Sequence, residues 1–381
     1  MNLLLSLFWG SIGLILYTYL LFPLLTLLRG KVRPQPYRSA DITPPVSMII
    51  AAYNEAESIG PKLDNILSVD YPQECLEVII ASDGSSDGTD EIVRSYESRG
   101  VKLLSLPRQG KAPALNAAVA ASTGEILLFS DANSMYAHEA IRALVRPFAD
   151  PEVGGVAGNQ TYLKQRQDGN SAGEKSYWAF DRKLKQSQSQ AGNTISATGA
   201  IYAIRRSLFQ SVPDGVTDDF VTSTRVIDQG YRLVFAPDAI AYEPAAKSSG
   251  KEFGRKVRIT TRGLRSVWVN RQLLNPLQYG FYALQIFSHK VLRRLVVFPL
   301  ILVLAISPLL WWRGFVYRLA TLVQTVFYGC ALLGALFMKA RIGRAKIFSI
   351  PFFFSLVNLA SLKAVLNIIR GHRIDRWETQ R

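Results

Sequence analysis

Apolar positions along this chain fall into two patterns. From Leu3 to Leu28 they form a nearly uncharged run, long enough to cross a hydrocarbon core. Three further runs close the chain, Leu295 to Trp312, Phe315 to Met338 and Ile347 to Ile369. Each predicts a membrane helix, and Trp311, Trp312, Tyr317 and Tyr328 suit interfacial positions. Lys363 interrupts the last run. Between these ends the apolar runs are short. Val46 to Ala52, Leu76 to Ala81, Val101 to Leu106 and Glu125 to Ser130 read as strands. Helical spacing lies between them, at Ile59, Leu63, Ile66 and Leu67, from Glu91 to Tyr96, and from Ala114 to Ala121. Strands alternating with helices predict an α/β domain with a mostly parallel sheet. Ligands of such sheets sit beyond the carboxyl ends of the strands. Three polar clusters fall there: Tyr53-Asn54-Glu55, Asp83 to Thr89, and Asp131 to Asn133.

The first run has no basic segment before it and no small-residue cleavage site after it, so it reads as a retained anchor rather than a signal peptide. Residues 34–45 are proline-rich and polar and read as a linker. The expected layout is an anchor over 1–30, a linker over 31–45, a catalytic domain over 46–245, a basic interfacial region over 246–292, membrane helices over 293–370 and a basic tail over 371–381.

Charge refines this picture. The formal net charge is +15, and many bases flank the apolar runs: Arg29, Lys31, Arg33, Lys290, Arg293, Arg294, Lys339, Arg341, Arg344 and Lys346. That placement favours a bilayer partner over nucleic acid. Under the positive-inside rule it puts the middle domain in the cytoplasm. Three C-terminal crossings would then leave Arg370, Arg373, Arg376 and Arg381 outside, so either one segment is re-entrant or interfacial or the charge rule fails there. Cys75 and Cys330 stand in unlike contexts, and His138, His289 and His372 show no metal-ligand spacing. No Gly-x-Gly-x-x-Gly follows the first strand, which argues against a dinucleotide-binding oxidoreductase.

From about Val46 to Glu243 the motifs resemble those of the family 2 glycosyltransferases, and that resemblance implies the GT-A fold. Ala51-Ala52-Tyr53-Asn54-Glu55 looks like the family's first-strand motif, where the base pocket begins. Asp83-Gly84-Ser85-Ser86-Asp87-Gly88-Thr89 looks like its second motif, in which the aspartate at Asp83 reads the base, usually uracil; a carboxylate only accepts hydrogen bonds and so suits an imide N–H. Arg108 to Asn116 resembles the Gly-Lys and Ala-Leu-Asn segment, with Lys111 facing an anionic donor. Ser130-Asp131-Ala132-Asn133 stands where the family carries Asp-x-Asp. The resemblance implies Mg²⁺ or Mn²⁺ there, held by Asp131, while Asn133 offers only a neutral amide oxygen.

On the acceptor side, Ser196 to Arg206 resembles the segment beside the incoming hydroxyl, and Thr198, Gly199 and Ala200 let backbone approach sugar. Val216-Thr217-Asp218-Asp219-Phe220 resembles the Thr-Glu-Asp motif, with Asp218 in place of the glutamate and Asp219 at the general base. Lys251 to Arg265 is strongly basic. Processive relatives carry Gln-x-x-Arg-Trp here; Arg258 matches the arginine, but the glutamine and tryptophan are absent. Two readings of this segment stand, contact with the donor diphosphate and an amphipathic helix drawn to anionic lipid.

The resemblance therefore implies an inverting transferase, multi-pass in a bacterial inner membrane, with its catalytic domain cytoplasmic. It would move sugar from a nucleotide sugar, UDP-linked by expectation, to a lipid-linked or growing surface glycan, and oligomerisation is compatible with this. The alternatives are a processive polysaccharide synthase coupled to export and a nucleotide-sugar-binding membrane protein without catalysis. The retained Asp83, Asp131 and Asp219 argue against the latter.

Overall fold

The computed structural model describes residues 2–163, 172–244, 252–338, 340, 343 and 345–371. Lys251, Lys339, Arg341, Arg344, His372, Arg373, Arg376 and Arg381, read above from the sequence, lie outside the described residues. The chain divides into two compact units, Leu25–Lys247 with Ser266–Ala283, and Met1–Leu24 with Ser248–Arg265 and Leu284–Ile374.

In chain order the helices are α1 (Asn2–Val32), α2 (Ala56–Leu67), α3 (Thr89–Arg94), α4 (Lys111–Ala120), α5 (Ala140–Val145), α6 (Ala172–Gln190), α7 (Asp218–Asp228), α8 (Glu252–Val269), α9 (Phe281–Leu295), α10 (Val297–Leu309), α11 (Phe315–Leu336) and α12 (Lys346–Ile369). The strands are β1 (Val46–Ala52), β2 (Leu76–Asp83), β3 (Val101–Leu106), β4 (Ile126–Asp131), β5 (Met135–Tyr136), β6 (Val153–Leu163), β7 (Tyr202–Arg205) and β8 (Arg232–Pro244). They form one sheet in the order β3-β2-β1-β4-β7-β6-β8-β5.

β1 is buried along its whole length. Val46, Met48, Ile50 and Ala52 enter one core, and Ile49 and Ala51 enter the core on the opposite face. A strand covered on both faces needs this unbroken apolar run. β3, β2, β1 and β4 are parallel, as expected. Their register pairs Ala51 with both Ala81 and Asp131, so three strand ends share one rim. Beyond β4 antiparallel pairs join the parallel ones, although β6 and β8 again pair in parallel. β7 runs antiparallel to β4 and β6, and β5 antiparallel to β8, which makes the sheet mixed. The chain enters β7 from the rim where β4 ends, and an antiparallel pair needs no crossover back to the far side. Consequently Thr198, Gly199 and Ala200 precede β7 as a loop at that rim rather than forming a bulged strand.

α4 starts three residues earlier than its apolar spacing predicts. Gly110, at φ +117°, ends the preceding loop, and Pro113 is tolerated in a first turn, where its missing N–H has no helical partner. Lys111 therefore opens the helix.

The turn after β4 rests on a buried charge. Lys62 of α2 has no solvent exposure. Its Nζ donates to Ser130 Oγ at 2.9 Å and to the Ser134 carbonyl, and lies 3.9 Å from the centre of the Tyr136 ring. Ser134 in turn donates to Glu243 Oε1 at 2.9 Å, at the end of β8. One ammonium thus clasps both ends of the turn carrying Asp131 and Asn133.

In the other unit, Phe8 of α1 packs with Val303, Ile306 and Leu310, and Trp9 Nε1 donates to Tyr317 Oη at 3.2 Å. Gly334 of α11 lies against α12 so closely that a Cβ would come within 2.6 Å of the Phe348 carbonyl oxygen. Leu319, Leu322, Val323 and Val326 of α11 stay exposed, as side chains facing lipid would. Asn2–Val32, Phe315–Leu336 and Lys346–Ile369 are each long and apolar enough to cross a membrane, and Lys363 does not break the last of them. The expected span from Leu295 to Trp312 is not one straight helix. α10 has 13 residues and joins α9 at a 46° bend. Pro299 explains the break: it cannot donate to the Leu295 carbonyl, and its ring clashes with it.

Burial drives the pKa of Lys62 down to about 7, against the opposing pull of Asp131 and Glu243. Between there and the ordinary 10.5, the unfolded chain holds a proton that the folded one has released. Stability from this group therefore rises with pH across that window and is least below it. Thermal melts should show wild type gaining on Lys62→Met between pH 6.5 and pH 9; parallel curves would mean that Lys62 titrates normally.

Candidate active site

The first two rim loops are laced together by short polar side chains. Asn54 is the one non-glycine residue at positive φ among the described residues, at +53°, a conformation asparagine tolerates. Its N–H donates to Ser85 Oγ at 3.1 Å, and its Oδ1 accepts from Ser86 N at 2.9 Å. Glu55 N donates to Thr89 Oγ1 at 2.9 Å and Ala56 N to Asp87 Oδ2 at 3.1 Å. The loop that opens α2 and the loop that opens α3 thus form one rigid edge.

Asp83, 1% exposed, ends β2 and fastens the next loop. It accepts from Gln109 N at 2.7 Å, from Gly110 N at 2.9 Å and from the Arg108 guanidinium. Gly84, at φ +67°, lies against Arg108, and a Cβ there would come within 2.9 Å of Arg108 N. The Arg108 guanidinium covers the Tyr53 ring at 3.5 Å from its centre. These bonds hold the segment that leads directly into Lys111.

Lys111 is the centre of the site. Its Nζ lies 2.9 Å from Asp131 Oδ1 and 3.1 Å from Asp218 Oδ2. Burial works against its charge, but Asp131, Asp218 and, at longer range, Asp219 outweigh it and hold its pKa above the ordinary lysine range. Asp218 and Asp219 open α7, where the unpaired N–H groups of a helix start favour carboxylates. Asp219 Oδ1 accepts from Phe220 N at 2.7 Å. The segment leading to α7 is tied to α4 through Asn116, which exchanges two hydrogen bonds with the Val212 backbone, at 2.8 and 3.0 Å. Thr217 N donates to Ser266 Oγ at 2.8 Å.

Gly199 closes the other side. A Cβ at this position would lie 2.9 Å from Asp131 Oδ2, so only glycine lets the 198–200 loop meet that carboxylate. Beside it, Thr198 Oγ1 is buried and has no hydrogen-bond partner. Tyr202 stacks on Phe129 with ring centres 4.8 Å apart. Burial first, then the charges of Asp218 and Asp219, push its phenol well above the ordinary range.

The structure therefore gathers Ala51, Tyr53, Glu55, Asp83, Lys111, Asp131, Thr198, Gly199, Ala200, Asp218 and Asp219 along one rim of a single unit. Asn133 is exposed in the turn after β4. Arg258 lies on α8, in the other compact unit. Sequence reasoning missed Lys62 and Glu243. The signal for Lys62 was its place three residues after Ile59 and four before Ile66, on the apolar face of α2. Glu243 looked like an ordinary strand end.

The donor set suits a hard divalent cation in part. Asp131 and Asp218 face one positive charge, and Asn133 lies two residues along. Among the described residues no three His, Cys, Asp or Glu side chains converge, so protein alone does not complete a coordination shell. A surface depression lined by Pro45, Gly124, Glu125 and Arg205 lies at the opposite ends of β1 and β4 and contains none of these groups.

Residues 47–212 match the family model described as Glycosyl transferase family 2. The chain is 27% identical over 234 residues to a poly-beta-1,6-N-acetyl-D-glucosamine synthase of Staphylococcus epidermidis, covering 58% of this chain and 56% of that protein. It is 26% identical over 238 residues to the synthase of the same name from Staphylococcus aureus, covering 61% and 57%. It thus spans little more than half the length of these relatives. Its backbone is similar to that of a mannosyltransferase from Pyrobaculum calidifontis, solved with GDP-Man and Mn²⁺, with a TM-score of 0.71, 24% identity, and coverage of 95% of this chain and 99% of that one. Residues 47–212, which carry Lys111 and Asp131, thus match a family 2 glycosyltransferase domain on a GT-A-like mixed sheet, and helices apolar enough to span a membrane lie at both ends of the chain.

Proposed function

We propose that this chain transfers a sugar from a nucleotide diphosphate sugar to a lipid-linked or growing glycan acceptor at a membrane surface, with inversion. The observation that carries this reading is the convergence of Asp131, at the end of β4, and Asp218, at the start of α7, on Lys111, with Asp219 next in the chain. The Lys111 ammonium and the first turn of α4 offer positive charge to a diphosphate leaving group. Asp219 takes the proton of the acceptor hydroxyl as that oxygen attacks the anomeric carbon, and the bond to the diphosphate breaks in the same displacement. Thr198 Oγ1 and the small residues Gly199 and Ala200 line the approach of the acceptor.

A divalent ion, Mg²⁺ or Mn²⁺, would be held by Asp131 with help from Asn133 and the donor's own oxygens, and would neutralise the diphosphate. Base recognition by Asp83 requires Arg108 to swing away, because its guanidinium occupies that carboxylate and covers Tyr53. The side chain of Arg108 is one-third exposed and has room to move. The apolar helices support residence in a membrane, and the bases around α1 support a cytoplasmic face for the catalytic unit.

The names of the relatives favour N-acetylglucosamine as the first sugar to test and keep a processive synthase as the second reading. The absent Gln-x-x-Arg-Trp argues for one transfer per acceptor.

The full chain in lipid nanodiscs, given UDP- and GDP-sugars, Mg²⁺ or Mn²⁺ and a bacterial lipid extract, should release nucleoside diphosphate from one donor. Asp219→Asn should lower that rate by about 10²-fold or more with donor affinity unchanged; full activity in this variant removes Asp219 as the base. Asp131→Ala should abolish the metal dependence of donor binding, and unchanged Mn²⁺-dependent affinity would refute its assignment. One added sugar per acceptor supports single transfer, and a long polymer establishes the processive reading.

A further inference from the structure

The unit formed by α1, most of α8 and the C-terminal helices holds a half-buried cation. Arg294, at the end of α9, has its Nη1 shielded from solvent with no hydrogen-bond acceptor. Its guanidinium lies directly on the backbone of Gly263 in α8: a Cβ there would be 2.4 Å from Nη2 and 3.0 Å from Nη1. Glycine inside a helix is less stable than alanine, so this position gives up helix stability to admit the guanidinium. Arg293 precedes it on the same helix, with its Nη1 3.3 Å from His289 Nε2. His289 belongs to a π-helical turn, Phe287–Leu292, which alters the ordinary spacing of the side chains before the two arginines.

The sequence supplies this unit with almost no acid to neutralise them. Between Glu252 and Asp375 the sequence contains no aspartate or glutamate, and none occurs in residues 1–24. Glu252 opens α8, eleven residues before Gly263, which is about 16 Å along a helix. A guanidinium nitrogen shielded from water without an acceptor is unfavourable, and the like charge of Arg293 beside it adds to the cost. An anion supplied from outside removes both penalties. The guanidinium fork fits two oxygens of one phosphate, and basic pockets between apolar helices suit lipid head groups.

We infer that Arg294, seated on Gly263 and flanked by Arg293, forms a phosphate-binding site within the membrane unit, filled by the phosphate of an anionic lipid. This inference rests on the unpartnered Nη1 of Arg294 and is independent of the transferase reading.

The test uses the full chain in nanodiscs of phosphatidylcholine alone, with added phosphatidylglycerol, or with added polyprenyl monophosphate. The readouts are melting temperature and native mass spectrometry of retained lipid. Wild type should melt several degrees higher with one of the anionic lipids and retain it, and the lipid giving the larger shift identifies the source. Arg294→Met should lose most of that increment and the retained lipid, yet melt at or above wild type in phosphatidylcholine alone, where the buried charge has no partner. Arg294→Lys, which keeps the charge but not the fork, should keep part of the increment and provides the reading should the methionine variant fold poorly. Arg313→Gln, which removes an exposed arginine, should keep all of it. Equal increments in wild type and both Arg294 variants, or no increment with either lipid, would overturn the site. An Arg294-dependent increment with UDP in place of lipid would assign the phosphate to the nucleotide and overturn the lipid assignment.

Discussion

Lys111 Nζ sits 2.9 Å from Asp131 and 3.1 Å from Asp218, and this one ammonium joins three parts of the fold that are far apart in sequence. Asp131 ends a central strand, Asp218 begins α7, and Lys111 begins α4. Two carboxylates brought this close repel unless a positive charge lies between them. The surrounding contacts hold that arrangement in place: Asp83 fastens the loop before Lys111, Asn116 ties α4 to the segment before Asp218, and Lys62 clasps the turn after Asp131. A donor's diphosphate and its metal would bring opposite charges into the same space, so binding must redistribute the contacts of Lys111. In the free site Lys111 offsets part of the carboxylates' charge, which allows them to cluster at the rim of an apolar sheet.

Much of this was legible in the residues themselves. The parallel half of the sheet follows from short, fully apolar runs, because strands buried on both faces leave no room for alternation. The polar clusters at their ends marked the rim. The antiparallel β7 was hidden, since four residues of strand give too little periodicity to reveal direction. The break at Pro299 was printed in the sequence, but an apolar run conceals a bend when only its hydrophobicity is read. The bonds of Asp83 were not legible, because its partners are backbone N–H groups of a loop some 25 residues away, whose approach depends on Gly84. Lys62 shows the reverse situation: a charge on an apolar helix face is a visible signal, though one easily taken for a solvated lysine.

The same rule of charge balance applies to both units with different solutions. In the catalytic unit, buried cations meet carboxylates or carbonyls of the protein. In the unit rich in apolar helices the sequence offers bases almost without acids, and we infer that a lipid phosphate supplies the charge opposite Arg294. A protein with helices apolar enough to span a membrane would meet such anions continually, and a site for one would couple that unit to the composition of the bilayer.

The most direct test of the central arrangement is Mn²⁺ binding without nucleotide, measured by electron paramagnetic resonance on wild type and Lys111→Met in nanodiscs. If Lys111 is the charge that balances Asp131 and Asp218, its removal frees two carboxylates, and the variant should bind Mn²⁺ more tightly than wild type. Equal or weaker binding in the variant would show that Lys111 does not occupy the cation's place, and the account built on it would fail.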